Sequence, residues 1–431
     1  MVTNKLDLSN KTIALTVISR AGQAVGSVML LLLTARWGGA AVRGEISMLL
    51  ASLTLGSHLA SWVGGGTLVY LANRYHPGKL LLYSLLWSSA VSVLTGLLLP
   101  ATPFGLSMST TKWITALLLL NTTVVLRSML VALNRIRVDN LLGLLGIAIQ
   151  LMITLYIMGY LGQPDLAAFL VAFNGGQIAV LLLAGFELRR AIPGTQPSPE
   201  SGSPPSHSLL SDMIRTGSWA QVASLSQFFA YRLLYYYLST RDDLDSVGRF
   251  SVAVAIGESV WLLTRSVSLS QATAISRMKD EQEARQLTRK WYKRVGYVSA
   301  MAIGLLVLIP NSLWIYIIGP EYSGIPGLLA AMAPGLWLLA QSNILAHHHA
   351  GTGRYAVNAY ASLATLLTLP VGLLLLPRPA SLVTIAALQS LAYLMGWVVQ
   401  YRHFRPESRQ NCAQGPASTQ PGPHGIEQPG L

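Results

Sequence analysis

The stretch LTVISRAGQAVGSVMLLLL, Leu15 to Leu33, is long and apolar enough to cross a bilayer, yet it contains Arg20. A membrane-spanning helix needs about 20 mostly apolar residues. An arginine at the centre of such a helix costs about 2.5–3.5 kcal/mol on insertion scales. The stretch therefore predicts a transmembrane helix in which one charged side chain needs a functional explanation.

The rest of the chain repeats this apolar pattern. Of its 431 residues, 52% are hydrophobic and only 11% are charged, and the mean hydropathy is +0.48. A soluble protein carries about 25% charged residues. The composition predicts an all-α polytopic membrane protein, because a helix satisfies its own backbone hydrogen bonds in lipid. Twelve spans are predicted, near residues 12–35, 46–72, 79–100, 113–133, 140–161, 166–187, 214–238, 247–275, 295–318, 326–346, 355–376 and 380–401.

Composition also divides the chain into parts. The segment Pro193–Ser208 is rich in proline, serine and glycine, which predicts a flexible linker. The segment Pro406–Leu431 is similar and predicts a disordered tail. We expect an N-terminal lobe of spans 1–6 at 1–190, a cytoplasmic linker at 191–210, a C-terminal lobe of spans 7–12 at 211–405, and a cytoplasmic tail at 406–431.

A faint internal repeat relates the two predicted lobes. Leu33 aligns with Leu238, Arg36 with Arg241 and Val42 with Val247, a constant offset of 205 residues. Both copies link the first and second spans of a six-span half. An even number of spans makes such repeats parallel, related by a pseudo-twofold axis along the membrane normal. Two lobes with a cavity between them are typical of transporters.

The chain has a formal net charge of +13. In a soluble protein this charge would suggest a nucleic-acid partner. In a membrane protein it indicates cytoplasmic loops rich in Lys and Arg, and no nucleic acid is expected. The distribution of these residues predicts both termini in the cytoplasm. The densest basic patch, Arg277–Arg294, is either a surface helix attracted by anionic lipid or an ordinary topogenic loop.

Cysteine and histidine give no sign of a metal site or other cofactor. Cys412 is the only cysteine, which excludes an intrachain disulfide and a Cys-based metal site. The run His347–His349 places adjacent histidines on different helix faces, so we interpret it as interfacial. The first apolar run is too long for a signal-peptide core, so we expect span 1 to be retained.

Charged residues within the predicted spans are the functional candidates. They are four arginines and one carboxylate: Arg20, Arg127, Arg232, Arg265 and Glu258. Two interpretations of Arg20 and Arg127 stay open, since a long arginine either lines a cavity or reaches the headgroups from one or two turns inside. Glu258 either neutralises Arg265 on its own helix face or pairs with an arginine on another helix, such as Arg232.

The polar faces of the spans favour a cavity. In span 1 one stripe at helical spacing holds Thr16, Arg20, Gln23, Ser27 and Thr34. A polar stripe is unfavourable in lipid and should face protein or water. Guanidinium groups bind phosphate through paired donors, so such a cavity suits a phosphate-bearing substrate. The candidate substrate-binding residues are Arg20, Arg127, Arg232, Arg265, Gln23 and Gln227, with Glu258 and His58 as coupling or charge-pairing groups.

Glycines in two spans predict local structure. Gly22 and Gly26 suit close helix packing. The stretch WVGGGT, Trp62–Thr67, permits a bend in span 2, or else close packing against a neighbouring helix.

Four motifs follow one another along the chain. They are a glycine-marked turn and later glycine cluster in Ala35–Arg74, SVGRFSVAVAIGE at Ser246–Glu258, IIGPEYSG at Ile317–Gly324, and HAGTGRYAVNAY at His349–Tyr360. In this order the chain resembles the polysaccharide flippases of the multidrug/oligosaccharidyl-lipid/polysaccharide exporter superfamily. There are two departures. Leu234 stands where members often carry an aspartate, and QATAIS in span 8 lacks their common proline.

The resemblance implies a flippase and not an enzyme. Its expected substrate is an undecaprenyl-pyrophosphate-linked oligosaccharide, moved from the inner to the outer leaflet of the bacterial inner membrane by alternating access. Lumenal arginines would hold the pyrophosphate while the polyprenyl tail stays among membrane lipids. A polysaccharide polymerase and chain-length proteins are the implied protein partners, and the product would be exopolysaccharide, capsule or O-antigen.

Three other functions are possible for a membrane protein of this kind. A multidrug exporter of the same superfamily would be expected to carry an acidic residue deep in spans 1–6, where none is predicted. A major-facilitator transporter would usually show an acidic-basic signature in the loop Ala72–Leu80, which lacks one. A membrane enzyme of polysaccharide assembly needs positioned acids, bases or metal ligands and often a large outer loop. The multidrug exporter remains the main alternative and the enzyme the weaker one.

Overall fold

The computed structural model describes residues 10–72, 74–102, 106, 108–192, 209–241, 243–276, 278, 280–377 and 379–405. Within these ranges the secondary structure is helical and contains no strand, which confirms the all-α prediction. The predicted linker residues 193–208 and the tail 406–431 lie outside the described residues.

Thirteen α-helices make up the described chain. A π-helical turn, Leu155–Tyr160, extends the fifth of them. In chain order they are α1 (Asn10–Ala60), α2 (Gly66–Leu71), α3 (Pro77–Leu98), α4 (Thr110–Ala132), α5 (Ile136–Thr154), α6 (Leu166–Ala191), α7 (Leu209–Arg241), α8 (Leu244–Ile275), α9 (Glu281–Leu308), α10 (Asn311–Ile318), α11 (Ile325–Gly351), α12 (Tyr355–Leu375) and α13 (Leu382–Phe404).

Helix α1 contains the first two predicted spans. Its 51 residues would extend about 76 Å if straight, more than twice the thickness of a bilayer core of about 30 Å. The chain kinks at Gly39, where φ is 71° and ψ is −173°, a conformation that glycine adopts without steric cost. We call the residues before and after Gly39 the first and second arms of α1. The second arm starts at Ala40, earlier than the predicted 46, because one glycine and not a polar loop makes the turn.

The second arm ends at the predicted bend. Helix geometry stops at Ala60, Gly65 takes a positive φ of 54°, and α2 begins at Gly66. Predicted span 9 is also broken. Helix α9 begins at Glu281, so part of the basic patch is helical, and α10 follows at an angle of 81°. Pro310 lies at this junction, where its missing N–H and fixed φ disfavour a continuous helix.

The helices pack as two lobes of six spans each. The same pairs of spans are in contact in both lobes. In the N-terminal lobe α1 packs on α5, α3 on α4, α4 on α6, and α5 on α6. In the C-terminal lobe α7 packs on α12, α9 on α11, α11 on α13, and α12 on α13. The second arm of α1 corresponds to α8 in this scheme. The matching contacts confirm the predicted pair of parallel six-helix repeats.

The lobes cross each other most closely where the second arm of α1 meets α8. A Cβ on Gly44 would lie 1.9 Å from the carbonyl oxygen of Leu244, and a Cβ on Gly248 would lie 1.9 Å from that of Ala40. Ser47 donates a hydrogen bond to Ser251 at 2.8 Å, across 204 residues of sequence. These reciprocal contacts repeat at an offset of 204, so the predicted pairing of Val42 with Val247 is wrong by one residue.

By length and composition, eight of the described helices can cross a membrane, or nine if the bent α9–α10 pair is one span. The eight are α1, α3 to α6, and α11 to α13. Helix α1 counts once there although its two arms are two predicted spans. Helices α7 and α8 are not among the eight, and they carry Arg232, Arg265 and Glu258.

Candidate functional site

The lobes meet at one end of the bundle in what we call the Gly39-end seam: Gly39, Ala40, Gly44 and Ser47 of α1 with Gly248, Ser251, Glu321 and Tyr322 of the C-terminal lobe. Tyr322 is fully buried and its hydroxyl donates to the carbonyl oxygen of Gly39 at 3.0 Å. The Glu321 carboxylate accepts the N–H of Ala40 at 2.5 Å, at the start of the second arm. A carboxylate is favourable at the positive end of a helix. The C-terminal lobe therefore caps a helix of the N-terminal lobe, and this end is closed.

A second set of contacts between the lobes lies at the opposite end, which we call the linker end because α6 ends and α7 begins there. The Tyr75 hydroxyl donates to Asp212 at 2.6 Å, and the Trp62 indole N–H donates to the Ser218 hydroxyl at 3.1 Å. Burial and the Asp212 hydrogen bond raise the pKa of Tyr75 to about 12. The phenol therefore stays protonated, and able to donate this bond, throughout the neutral range.

Arg232 and Glu258 form a two-pronged ion pair between α7 and α8. The guanidinium nitrogens Nη1 and Nη2 donate to the two carboxylate oxygens at 3.2 and 3.1 Å. The Arg232 guanidinium also lies 5.1 Å from the ring centre of Tyr235, a cation–π distance. The side chains keep 28% and 19% of their surface exposed, so the pair is partly open. Of the two partners considered for Glu258, the described structure thus shows Arg232.

Arg20 lies on the first arm of α1 and is exposed. The exposed apolar side chains of this arm, Leu15, Ile18, Val25 and Met29, share one face. At about 100° per residue, Arg20 points roughly 140–180° away from them. Among the described residues it makes no ion pair or hydrogen bond. Arg20 therefore lies on the opposite face of the first arm from the exposed apolar side chains, and its place in a polar cavity stays a prediction.

Arg127 is paired with a carboxylate that the sequence did not single out. Its Nε donates to Asp139, in the first turn of α5, at 2.6 Å. Gln23 lies beside it, because a Cβ on Gly143 would meet the Gln23 amide oxygen at 2.6 Å and Arg127 Nη2 at 2.8 Å. The structure thus brings together two candidates, Gln23 and Arg127. The pairing of Arg127 with Asp139 also reduces the excess of positive charge that was expected within the spans.

The remaining candidates lie apart from one another. Gln227 is exposed on α7, and its amide donates to the Tyr231 hydroxyl at 3.1 Å. The His58 ring lies 5.6 Å from that of Phe228, so it packs between the second arm of α1 and α7. The side chain of Arg265 lies outside the described structure, although its backbone is within α8.

The glycines of span 1 behave as predicted. A Cβ on Gly22 would meet Leu144 at 2.8 Å and one on Gly26 would meet Ile147 at 2.9 Å. Both glycines therefore allow the first arm to approach α5 closely. The polar stripe of this arm is divided, because Asn140 of α5 donates to Thr16 while Arg20 remains exposed.

One buried cationic side chain was not predicted from the sequence. Arg43 is only 7% exposed, and its Nη1 donates to the Thr34 hydroxyl at 3.0 Å while its Nε has no partner among the described residues. The sequence predicts span 2 from residue 46 and therefore places Arg43 in a loop. The glycine pair Gly38–Gly39, which makes the turn before it, was the signal that could have placed Arg43 in a helix. Among the described residues no group of three or more His, Cys, Asp and Glu is placed to hold a metal ion.

The Arg127–Asp139 pair predicts a measurable contribution to stability. Asp139→Asn should lower the free energy of unfolding by about 1–2 kcal/mol, because a hydrogen bond between charged groups is lost while Arg127 stays partly buried. Thermal unfolding of the purified protein in detergent would show the loss as a lower Tm. The matched control is Asp243→Asn, at an exposed cap in the α7–α8 loop. Equal Tm values for Asp139→Asn and wild type would contradict a stabilising pair.

Three solved structures share this architecture. An inward-facing multidrug resistance MATE family transporter of the MOP superfamily matches with a TM-score of 0.66 at 14% identity, over 91% of this chain and 98% of that one. The lipid II flippase MurJ in an inward closed conformation matches with 0.65 at 13% identity, over 90% and 87%. An outward-facing MATE family transporter of the same superfamily matches with 0.59 at 16% identity, over 94% and 98%.

No protein-family model matches this sequence, and no curated protein matches it. The identities of 13–16% show a shared fold and not a shared substrate. The chain is an all-α, multi-pass membrane protein whose described helices form two lobes, with the fold that these transporter structures share.

Proposed function

We propose that this protein is a flippase for polyprenyl-pyrophosphate-linked oligosaccharides, serving surface polysaccharide export from the bacterial inner membrane. The observation that carries the proposal is the orientation of Arg20, exposed and unpaired among the described residues, opposite the apolar face of its arm. Arg232, on the other lobe, keeps 28% of its side chain open beside Glu258. Guanidinium groups on both lobes suit a pyrophosphate headgroup, since they bind phosphate bidentately and keep their charge.

The closed Gly39-end seam fits one half of an alternating-access cycle. In the proposed orientation both termini and the linker end are cytoplasmic, and the seam closes the outer face. Because the lobes are also in contact at the linker end, the headgroup would enter after those contacts separate and would then meet Arg20 and Arg232 between the two ends. Opening of the seam would then release it to the outer leaflet. Polymerase and chain-length partners remain predictions of the resemblance.

The main alternative is a multidrug exporter. The MATE matches favour it as much as the MurJ match favours a lipid flippase. Two of the candidate arginines are neutralised by Asp139 and Glu258, which makes the interior less positive than the sequence predicted. A carboxylate in the N-terminal lobe, Asp139, also bears on the sequence argument against this function, although it lies in the first turn of α5, where it pairs with Arg127.

Reconstitution separates the two functions. Proteoliposomes carrying a fluorescent polyprenyl-pyrophosphate-linked sugar should move the sugar across the bilayer, as read by quenching with an impermeant reagent. Arg20→Ala combined with Arg232→Ala should reduce the rate to that of empty liposomes. Arg289→Ala, an exposed arginine of α9, is the matched control and should leave it unchanged. Ethidium efflux without any lipid flipping would instead assign the protein as a multidrug exporter.

A further inference from the structure

A partly open cavity lies in the C-terminal lobe, among α7, α11, α12 and α13, and its space of about 540 Å³ includes open solvent. The residues that line it belong to the later turns of α11 and α13 and to the early turns of α12. The cavity therefore lies in the half of the lobe nearer the linker end, away from the closed Gly39-end seam. Its polar wall includes Ser342, Asn343, Ser362, Thr365, Tyr393 and Gln400.

Two side chains of this wall are buried and have a polar atom without a partner. Tyr393 is 2% exposed, and its hydroxyl makes no hydrogen bond among the described residues. Gln400 is 6% exposed; its amide nitrogen donates to Asn358 at 3.3 Å, but its amide oxygen has no donor there. Buried polar groups are nearly always satisfied, because an unmade hydrogen bond is costly. The Tyr393 hydroxyl and the Gln400 amide oxygen are enclosed, and a ligand in the cavity would satisfy them once these side chains rotate toward it.

The chemistry of the wall favours a neutral, hydroxyl-bearing ligand. The residues that line the cavity include no Asp, Glu, Lys or Arg. Tyr393 and Gln400 are seven residues apart on α13, roughly 10 Å along the helix axis. An ion such as Ca²⁺ keeps its ligands within about 2.6 Å and could not contact both. A pyranose ring with its substituents has both the length and the hydroxyl groups to do so.

Aromatic rings complete the wall. The rings of Tyr231 and Tyr393 meet edge to face with their centres 5.9 Å apart. The apolar C–H face of a sugar can pack against such a ring while its hydroxyls bond to the amides. Gly396 lies between Tyr393 and Gln400 on the same face of α13, and its missing side chain lets α12 approach closely, since a Cβ there would lie 2.2 Å from the Thr365 hydroxyl oxygen.

The cavity adjoins the Arg232–Glu258 pair. Tyr231 precedes Arg232 on α7, and the Arg232 Nη1 donates to the Tyr231 carbonyl oxygen at 3.3 Å. Tyr393 lies close enough to Arg232 and Glu258 to interact with both electrostatically. A headgroup whose phosphate lies at Arg232 would therefore carry its first sugar toward this cavity.

We propose that the cavity bounded by Tyr393 and Gln400 binds the sugar nearest the pyrophosphate and gives the protein its preference for glycosylated lipid. This inference rests on the proposed function. The phosphate and the sugar would then be held by different residues, Arg232 for the phosphate and the neutral cavity for the sugar. Variants at the two places should consequently have different effects on transport.

Transport of two lipids tests the inference. Proteoliposomes would carry either undecaprenyl pyrophosphate or the same lipid with one N-acetylglucosamine, and initial flipping rates would be compared. Wild type should prefer the glycosylated lipid. Tyr393→Phe with Gln400→Met removes the two free polar atoms at nearly constant volume and should lower this preference about tenfold. The rate for the bare lipid should stay unchanged, whereas Arg232→Ala should lower both rates.

The control is Tyr355→Phe, which removes a phenol hydroxyl from a tyrosine that is 68% exposed on α12. An unchanged preference in the double variant, or an equal fall of both rates, would overturn the cavity's role. If neither lipid is flipped, the proposed function is wrong. The cavity is then tested only by whether it binds a free sugar. Saturation-transfer NMR with free N-acetylglucosamine should then give a signal that the double variant loses. A wild-type protein without that signal would overturn the inference, as would a signal that the variant keeps.

Discussion

Gly44→Leu is expected to abolish transport while leaving the protein folded in the membrane. At this glycine even a Cβ would lie 1.9 Å from the carbonyl oxygen of Leu244, which is backbone and cannot move aside alone. The lobes would have to separate, so the Gly39-end seam could not close. A transporter that alternates between two closed ends needs both of them, and loss of one closure stops the cycle.

Spin labels would measure this separation directly. With Cys412→Ser as background, labels at Ala41 and Ser323 lie exposed on opposite lobes near the seam. Their distance should increase in Gly44→Leu relative to the unsubstituted protein. Gly327→Leu is the matched control, since a Cβ at Gly327 meets nothing within 4 Å. An unchanged distance together with normal transport in Gly44→Leu would show that the seam is not a moving closure.

Glu258→Ala is expected to abolish transport and to lower the free energy of unfolding by about 2 kcal/mol, because it leaves the Arg232 guanidinium unpaired in a partly buried position. The double variant Arg232→Ala/Glu258→Ala should regain most of the stability, since no unpaired charge remains. It should not regain transport, because Arg232, the residue proposed to bind the phosphate, is absent. Thermal unfolding and liposome flipping of the wild type and these two variants give both quantities.

Stability and transport are expected to respond differently to the double variant, and this difference distinguishes a binding role from a structural one. A purely structural ion pair would let the double variant recover stability and transport together. Retained transport in Glu258→Ala would show that the carboxylate is dispensable for the cycle. Arg232→Lys adds a graded case, since it keeps the charge and loses the paired donors, and partial transport is expected.

The hydropathy of the sequence and the energetic cost of charges in lipid predict much of the fold and part of the candidate site. Long apolar runs predicted the two six-helix lobes because lipid leaves few alternatives to helices. The Arg232–Glu258 pair was among the predicted possibilities, since each charge inside a span needs compensation. The bend at Trp62–Thr67 was one of the two outcomes predicted from three consecutive glycines, the other being close helix packing.

Other features depended on three-dimensional contacts. Asp139 was placed at a helix end, where a carboxylate is unremarkable, and only the packing of α4 on α5 brings it to Arg127. Arg43 was assigned to a loop, because sequence patterns do not reveal that a single positive-φ glycine turns the chain at Gly39. The buried atoms of Tyr393 and Gln400 lie on a helix that reads as ordinary apolar span, and their cavity exists only between four helices.

The central claim is that Arg20 faces an aqueous space where an anionic headgroup binds. Its most direct test is thiol accessibility in membranes, again with Cys412→Ser as background. Arg20→Cys should react rapidly with a charged, water-soluble methanethiosulfonate and should be protected by undecaprenyl-pyrophosphate-linked sugar. Ile18→Cys, on the apolar face of the same arm and 66% exposed, should not react. The opposite pattern, with Arg20→Cys reached only by a membrane-soluble maleimide and unaffected by substrate, would contradict the account.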